Sequence, residues 1–295
     1  MNQTEKTAIR TSGLSMLGNL LLAAIKWVAG YFGNSFALIA DAIESTTDIF
    51  ASILTMMGLK YAARPADSNH PYGHGRMETL ITFLTVAFLV GSALLIAHEA
   101  WKNIHTAHES PKSFTLWVLG AIIFWKELSY QWVLKKSKET HSSALKAEAW
   151  HHRSDAITSI AAFIGIALAC WMGKGFESAD DWAALCASLF ILYNAYLIFR
   201  PALGEVMDEH VHHQLEEDVR KVSKKVEGVL DTEKCFIRKA GMFYQLDLHV
   251  IVNGELSVRQ GHHIAHQLKN QLEKDLPMIK YILIHVEPPE SAYDR

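Results

Sequence analysis

Six long apolar stretches follow one another along the first two thirds of the chain, at about residues 14–32, 36–62, 79–100, 114–134, 149–172 and 182–203. At about 1.5 Å per helical residue, each can cover the roughly 30 Å hydrocarbon thickness of a bilayer. Several contain polar residues, but a soluble protein rarely sets six buried helices of this length in succession. The pattern predicts an α-helical membrane protein with six transmembrane helices. Residues 1–12 are polar, carry both signs and lack a cleavable signal pattern, so the first run is read as a retained span.

Basic residues near span ends favour the cytoplasmic side. Lys6 and Arg10 precede the first span, Lys60, Arg64 and Arg76 lie between the second and third, and Lys135, Lys136, Lys138 and Lys146 between the fourth and fifth. The opposite loops offer only Lys102, Lys112 and Lys174. Both termini are therefore expected in the cytoplasm, and for a bacterial source the membrane is the plasma (inner) membrane.

Beyond residue 203 the chain becomes charged. An acidic, His-rich stretch at 207–218 (Asp208, Glu209, His210, His212 and His213) leads into a helical pattern reaching about residue 226 and is read as a solvated helix start. Residues 234–238 and 243–252 read as strands, 257–272 as an amphipathic helix and 280–286 as a strand of alternating pattern. The order αββαβ predicts a small α+β, ferredoxin-like cytosolic C-terminal domain of about 85 residues, near the lower size for independent folding. The expected division is 1–206 for the transmembrane transport domain and 207–295 for a cytosolic metal-binding and dimerisation domain.

With 31 acidic against 28 basic residues there is no basic excess to attract nucleic acid. Cys170, Cys186 and Cys235 are widely spaced and form no CxxC pair, so neither a disulfide framework nor a thiolate zinc finger is implied. The informative residues are ionisable groups inside apolar runs. Asp41, Glu44 and Asp48 fall in the second, and His151, His152 and Asp155 in the fifth, each at about 2.5–3.5 kcal/mol on insertion scales for charged groups. Spacings of three, four and seven align Asp41, Glu44 and Asp48 on one helical stripe; a spacing of four aligns His151 with Asp155. Two such stripes facing each other surround one ion, or else form a polar packing network between helices. As ligands, Glu44, Asp48, His151 and Asp155 supply imidazole and carboxylate without thiolate, a set suited to a borderline divalent ion.

The segments LIADAIESTTD (38–48), HPYGHGR (70–76) and HHRSD (151–155), in that order, resemble the cation diffusion facilitator family of metal exporters across essentially the whole chain. The resemblance implies a homodimeric metal-for-proton antiporter whose site maps onto Glu44, Asp48, His151 and Asp155, with Asp41 as a neighbour. Glu44 stands where zinc-transporting relatives commonly place His or Asp, which enlarges and hardens the site and keeps manganese, iron(II) and cobalt beside zinc as cargo. Ligands must be deprotonated to hold metal, so loading metal on one side and protons on the other couples opposite fluxes. Asp67, His70 and His74 resemble the family's loop metal site, with Pro71 and Gly73 favouring the turn that gathers them. The solvated alternative has His74 and Arg76 simply organising the loop. In the cytosolic domain the resemblance maps ligands onto Cys235, His249, His285 and Glu287, with His262 as a bridge. No catalytic cofactor is implied; the partners are divalent metal ions, protons, the lipid bilayer and a second copy of the chain.

Two other classes compete. An intramembrane hydrolase could use a span-held metal to activate water, but the chain lacks HExxH and GxSxG. A non-transporting sensor, paired with an active relative, would have little reason to retain charged ligands in lipid.

Overall fold

The computed structural model describes residues 3–106, 110–140, 143–172, 178–241 and 243–289. Lys174 and the side chains of Lys6, Arg10, Lys146 and His151 lie outside the described residues. Six long helices come first: α1 (Gln3–Gly33), α2 (Phe36–Ala62), α3 (Met77–Ile104), α4 (Phe114–Thr140), α5 (Ser143–Met172) and α6 (Ala179–Val206). Then follow α7 (His213–Ser223), β1 (Asp231–Ala240), β2 (Phe243–Ile251), α8 (Val258–Asp275) and β3 (Ile279–Glu287). The helices overrun the apolar runs at several ends because polar residues can continue a helix once it emerges from lipid. The His-rich stretch contributes less helix than expected: α7 begins only at His213.

The chain packs as two compact units, Met1–Leu54 with Leu84–Ile198 and Thr55–Phe83 with Phe199–Arg295. In the first, α4 packs along α5 and α1 along α4. Its core is rich in alanine (Ala29, Ala37, Ala40, Ala93, Ala100, Ala162, Ala184, Ala195) interleaved with Leu38, Ile96, Leu119 and Ile166. Small residues let helices approach closely where lipid offers no hydrophobic drive to associate. The outward faces are apolar instead: Leu17, Leu21, Trp117 and Trp171 are all exposed. Such a surface fits a lipid solvent.

Among the described residues four helical segments are long and apolar enough to cross a membrane: Gly13–Gly33, Met77–Ile104, His152–Met172 and Ala179–Val206. Helices α2 and α4 have the length without the apolarity, since α2 carries Asp41, Glu44 and Asp48 and α4 carries Lys126 and Glu127. The helix count of six is therefore seen, and six crossings are not.

Helix α2 starts where it does for a local reason. Asn34 takes a left-handed backbone (φ 51°) just after α1 ends. Ser35 Oγ then accepts from Leu38 N at 3.2 Å. The Asp180 carboxylate of α6 accepts from Phe36 N (2.5 Å), Ala37 N (3.2 Å) and Ser35 Oγ (3.0 Å), satisfying N–H groups that have no partner inside the helix.

In the second unit, α7–β1–β2–α8–β3 reproduces the expected αββαβ order. The sheet runs β1-β2-β3, with β1 and β2 antiparallel and β2 and β3 parallel across α8. A capping box starts α8: Ser257 N donates to Gln260 Oε1 (2.9 Å) and Gln260 N to Ser257 Oγ (3.4 Å). Val219 and Val222 of α7 and Leu268 and Leu272 of α8 cover one sheet face, burying Leu246, Leu248 and Val250. The other face bears exposed Phe236, Tyr281 and Leu283.

Candidate functional site

The ionisable residues of α2 and α5 sit beside two lysines that the sequence reading did not single out. Lys26 of α1 is fully buried and Lys126 of α4 nearly so. Lys26 Nζ lies 2.8 Å from Asp41 Oδ2 and donates to Ser45 Oγ at 2.9 Å. Asp41 also accepts from Ser159 Oγ at 3.0 and 3.1 Å. Lys126 Nζ lies 2.5 Å from Asp155 Oδ2 and donates to Asn19 Oδ1 at 3.1 Å. Burying an ammonium alone in an apolar bundle is costly, and pairing with a carboxylate is the compensation. The signal was present in sequence: Lys26 stands alone as a charge inside the first apolar run and Lys126 inside the fourth, beside Glu127, both opposite in sign to the carboxylates of α2 and α5.

Glu44 is half-buried and within electrostatic reach of Asp41, Asp48, Asp155 and Lys26. The expected stripes thus share one charged neighbourhood, whereas the side chain of His151 lies outside the described residues. His152, its neighbour, is buried and hydrogen-bonds Ser15 Oγ through Nε2 at 2.7 Å. Among the described residues three groups of donor atoms converge within 4.8 Å, and Glu44, Asp48 and Asp155 are not among them. The lysines account for this: Asp41 and Asp155 are each drawn to an ammonium.

The loop residues do converge. Asp67, His70 and His74 each bring a donor atom within 4.8 Å of the others. Asp67 Oδ1 accepts from Asn69 N (2.9 Å) and His70 N (2.7 Å), a local turn closed further by Gly73 N donating to His70 O at 2.9 Å. Gly73 has φ 81°, a conformation costly for other residues. These bonds, the His70 N–H foremost, hold the Asp67 carboxyl below the ordinary carboxylate range. His74 is buried, with Nδ1 3.2 Å from Pro65 O and Nε2 3.4 Å from Asp67 Oδ2. A carbonyl can only accept, so Nδ1 donates to Pro65 O, and that bond fixes the ring with Nε2 turned towards Asp67.

In the cytosolic domain, parallel pairing sets His249 of β2 directly beside His285 of β3. His249 Nδ1 is 2.6 Å and His285 Nε2 3.3 Å from Glu287 Oε1. A hydrogen bond shared with the Glu233 carboxyl, then the bond and charge of His249 and the charge of His285, hold the Glu287 carboxyl low. Cys235 is not part of this group. It pairs with Leu248, on the opposite sheet face from His249, and is buried in the core, where desolvation pushes its thiol up to about 11. The mapping that placed it with the histidines fails on the period-two alternation of strands and on the register shift between Thr232 and Cys235. His262 lies in the second turn of α8, away from the His249–His285–Glu287 group, and faces an exposed concavity with His263 and His266; its ring meets that of His266 at 4.5 Å.

Residues 13–207 match the cation efflux transmembrane domain family and residues 211–289 the cytoplasmic domain of cation efflux proteins. The chain belongs to the cation diffusion facilitator family: it is an integral membrane protein of the divalent metal cation efflux class, a transporter and not an enzyme. It is 29% identical over 294 residues to the manganese efflux system protein MneP of Bacillus subtilis, covering 97% of this chain and 98% of that one. An uncharacterised transporter of Methanocaldococcus jannaschii is 31% identical over 290 residues (97% and 99%), and the cation-efflux pump FieF of Pectobacterium atrosepticum 28% over 277 (92% and 90%). A solved MamM CTD structure aligns with 27% of this chain and all of that one at 20% identity and a TM-score of 0.26.

Proposed function

We propose that the protein exports a divalent transition-metal ion from the cytoplasm in exchange for protons, through a site made of Glu44, Asp48, His151 and Asp155. The observation that carries this reading is the charged group inside the apolar bundle, centred on the Lys126–Asp155 pair. Asp41, Glu44, Asp48 and Asp155 against Lys26 and Lys126 leave a formal excess of two negative charges, the charge needed to neutralise one divalent cation. Lys126 holds Asp155 when no metal is bound, and an arriving ion takes the carboxylate from it. Lys26 keeps Asp41 as a fixed support, so Asp41 shapes the site without ligating.

Three carboxylates with one imidazole favour harder ions than a His-rich site would, so manganese and iron(II) rank with zinc and cobalt as cargo. Because every ligand must shed its proton to bind, metal loading on one side and proton loading on the other drive counter-transport. Six crossings put both termini in the cytoplasm, with α2 and α4 spanning despite their charges because Asp41 and Lys126 are buried and paired, with Lys26 and Asp155. Two chains associate through the sheet face bearing Phe236, Tyr281 and Leu283. The loop group (Asp67, His70, His74) and the strand group (His249, His285, Glu287) bind regulatory metal.

Proteoliposomes under an imposed pH gradient test this directly. Uptake of at least one of zinc, manganese, iron(II) or cobalt is expected for the native chain and loss of it for Asp155→Asn. Undiminished, proton-coupled uptake by the folded variant would remove the site from the mechanism.

A further inference from the structure

The third convergent donor group lies outside every site above. We propose that His210, His213 and Glu216 form a divalent-cation site at the entrance to the cytosolic domain, taking a borderline ion such as Zn2+ through two imidazole nitrogens and one carboxylate oxygen. One donor atom from each lies within 4.8 Å of the others. His213 and Glu216, three apart, share a face of the first turns of α7, and His210 folds back onto them from the segment before the helix. The His210 and His213 ring centroids are 5.3 Å apart, and His210 Nε2 is 2.9 Å from Glu216 Oε2.

What distinguishes this group from loose surface histidines is the support behind its carboxylate. Glu216 Oε1 accepts from Arg220 Nε at 3.0 Å and from its NH2 at 2.8 Å. Arg220 is itself fixed by donating to Thr232 O (2.7 Å), Thr232 Oγ1 (2.8 Å) and Glu233 O (3.1 Å) of β1. One carboxylate oxygen is thus anchored to the sheet through arginine, and the other is aimed at His210. Partners of this kind, orienting a ligand from behind, typically change metal affinity by about 10–100-fold. Both histidines are exposed, which provides an entry path and leaves room for water to complete a tetrahedral set.

The preceding segment is already partly tethered. Glu209 forms a two-pronged pair with Arg200 at 2.7 and 2.8 Å, and its N–H donates to Gly204 O at 2.8 Å. An ion on His210, His213 and Glu216 would tie the other end of that segment to α7. His210 falls in the gap between the two matched families, 13–207 and 211–289.

The test is zinc per protomer at saturation, by equilibrium dialysis of the full chain in detergent followed by elemental analysis. The H210A/H213A variant should bind about one zinc fewer than the native chain, and E216Q, which keeps the side-chain shape, should weaken that same ion about 10-fold or more. Asp155→Asn should leave this ion in place, so a failure of the transport site and a failure of this site give different readings. Native stoichiometry and native affinity in both H210A/H213A and E216Q would overturn the proposal.

Discussion

Lys126 is the residue whose role is most open to experiment. Removing one partner of a buried ion pair strands the other charge, at about 3–5 kcal/mol. Lys126→Met should therefore lower the melting temperature of the metal-free protein, while added metal should raise it more than in the native chain because no ammonium has to be displaced from Asp155. Thermal melts with and without manganese or zinc read both effects; a variant stabilised by metal no more than the native chain would mean Lys126 does not compete for the site. Cys235 makes the opposite case. Its thiol is buried, so Cys235→Ser should leave metal stoichiometry unchanged while destabilising the cytosolic domain by about 1–3 kcal/mol through a buried hydroxyl without a designed partner. The raised thiol also has a pH signature. The folded state keeps its proton up to about 11 while the unfolded chain releases it in the ordinary thiol range near 8.5, so this contribution is present below that range and lost as pH rises towards 11.

At the scale of the element, the loop between α2 and α3 depends on a close approach that no motif announces. A Cβ on Gly75 would collide with the Ala240 carbonyl, and one on Gly241, which has φ 66°, would meet Gly75 O at 2.6 Å. Gly75→Ala should displace the backbone beside His74 and weaken metal binding by Asp67, His70 and His74, measured as a drop in bound zinc relative to Gly91→Ala, whose Cβ meets nothing within 4 Å. The end of β3 carries a pH dependence of opposite sign to Cys235. The Glu287 carboxyl is held low, so its contribution is complete above the ordinary glutamate range near 4.3 and is lost only as pH falls below it. Glu287→Gln should flatten the acid limb of domain stability, followed by circular dichroism between about pH 3 and 5.

For the whole molecule, the exposed apolar sheet face and the His249–His285–Glu287 group lie on the same side of one sheet. Buried between two copies, Phe236 and Leu283 would leave water together, and a cysteine at Leu283 should crosslink across the dimer more readily with zinc than with chelator. Equal crosslinking in both conditions would separate dimerisation from the strand metals. If all six long helices cross, as proposed, the two termini lie on one side, and reporter tags at each end should be protected together or digested together in sealed vesicles.

Amphipathic and apolar periodicity sufficed to place every long helix and the αββαβ order, because those depend on local spacing and on what each face must be shielded from. The same spacing aligned Asp41, Glu44 and Asp48 on one stripe of α2. What spacing could not show is the identity of partners far apart in the chain. That Asp155 meets Lys126, that Asp180 caps α2, and that Cys235 turns into the core while His249 turns away are outcomes of helix packing and strand register, which set distances between residues the sequence leaves unrelated. Local chemistry determined which groups this protein puts into the membrane and along its sheet; only the tertiary structure decided which opposite charges neutralise them, since a buried charge takes the partner that packing brings within reach.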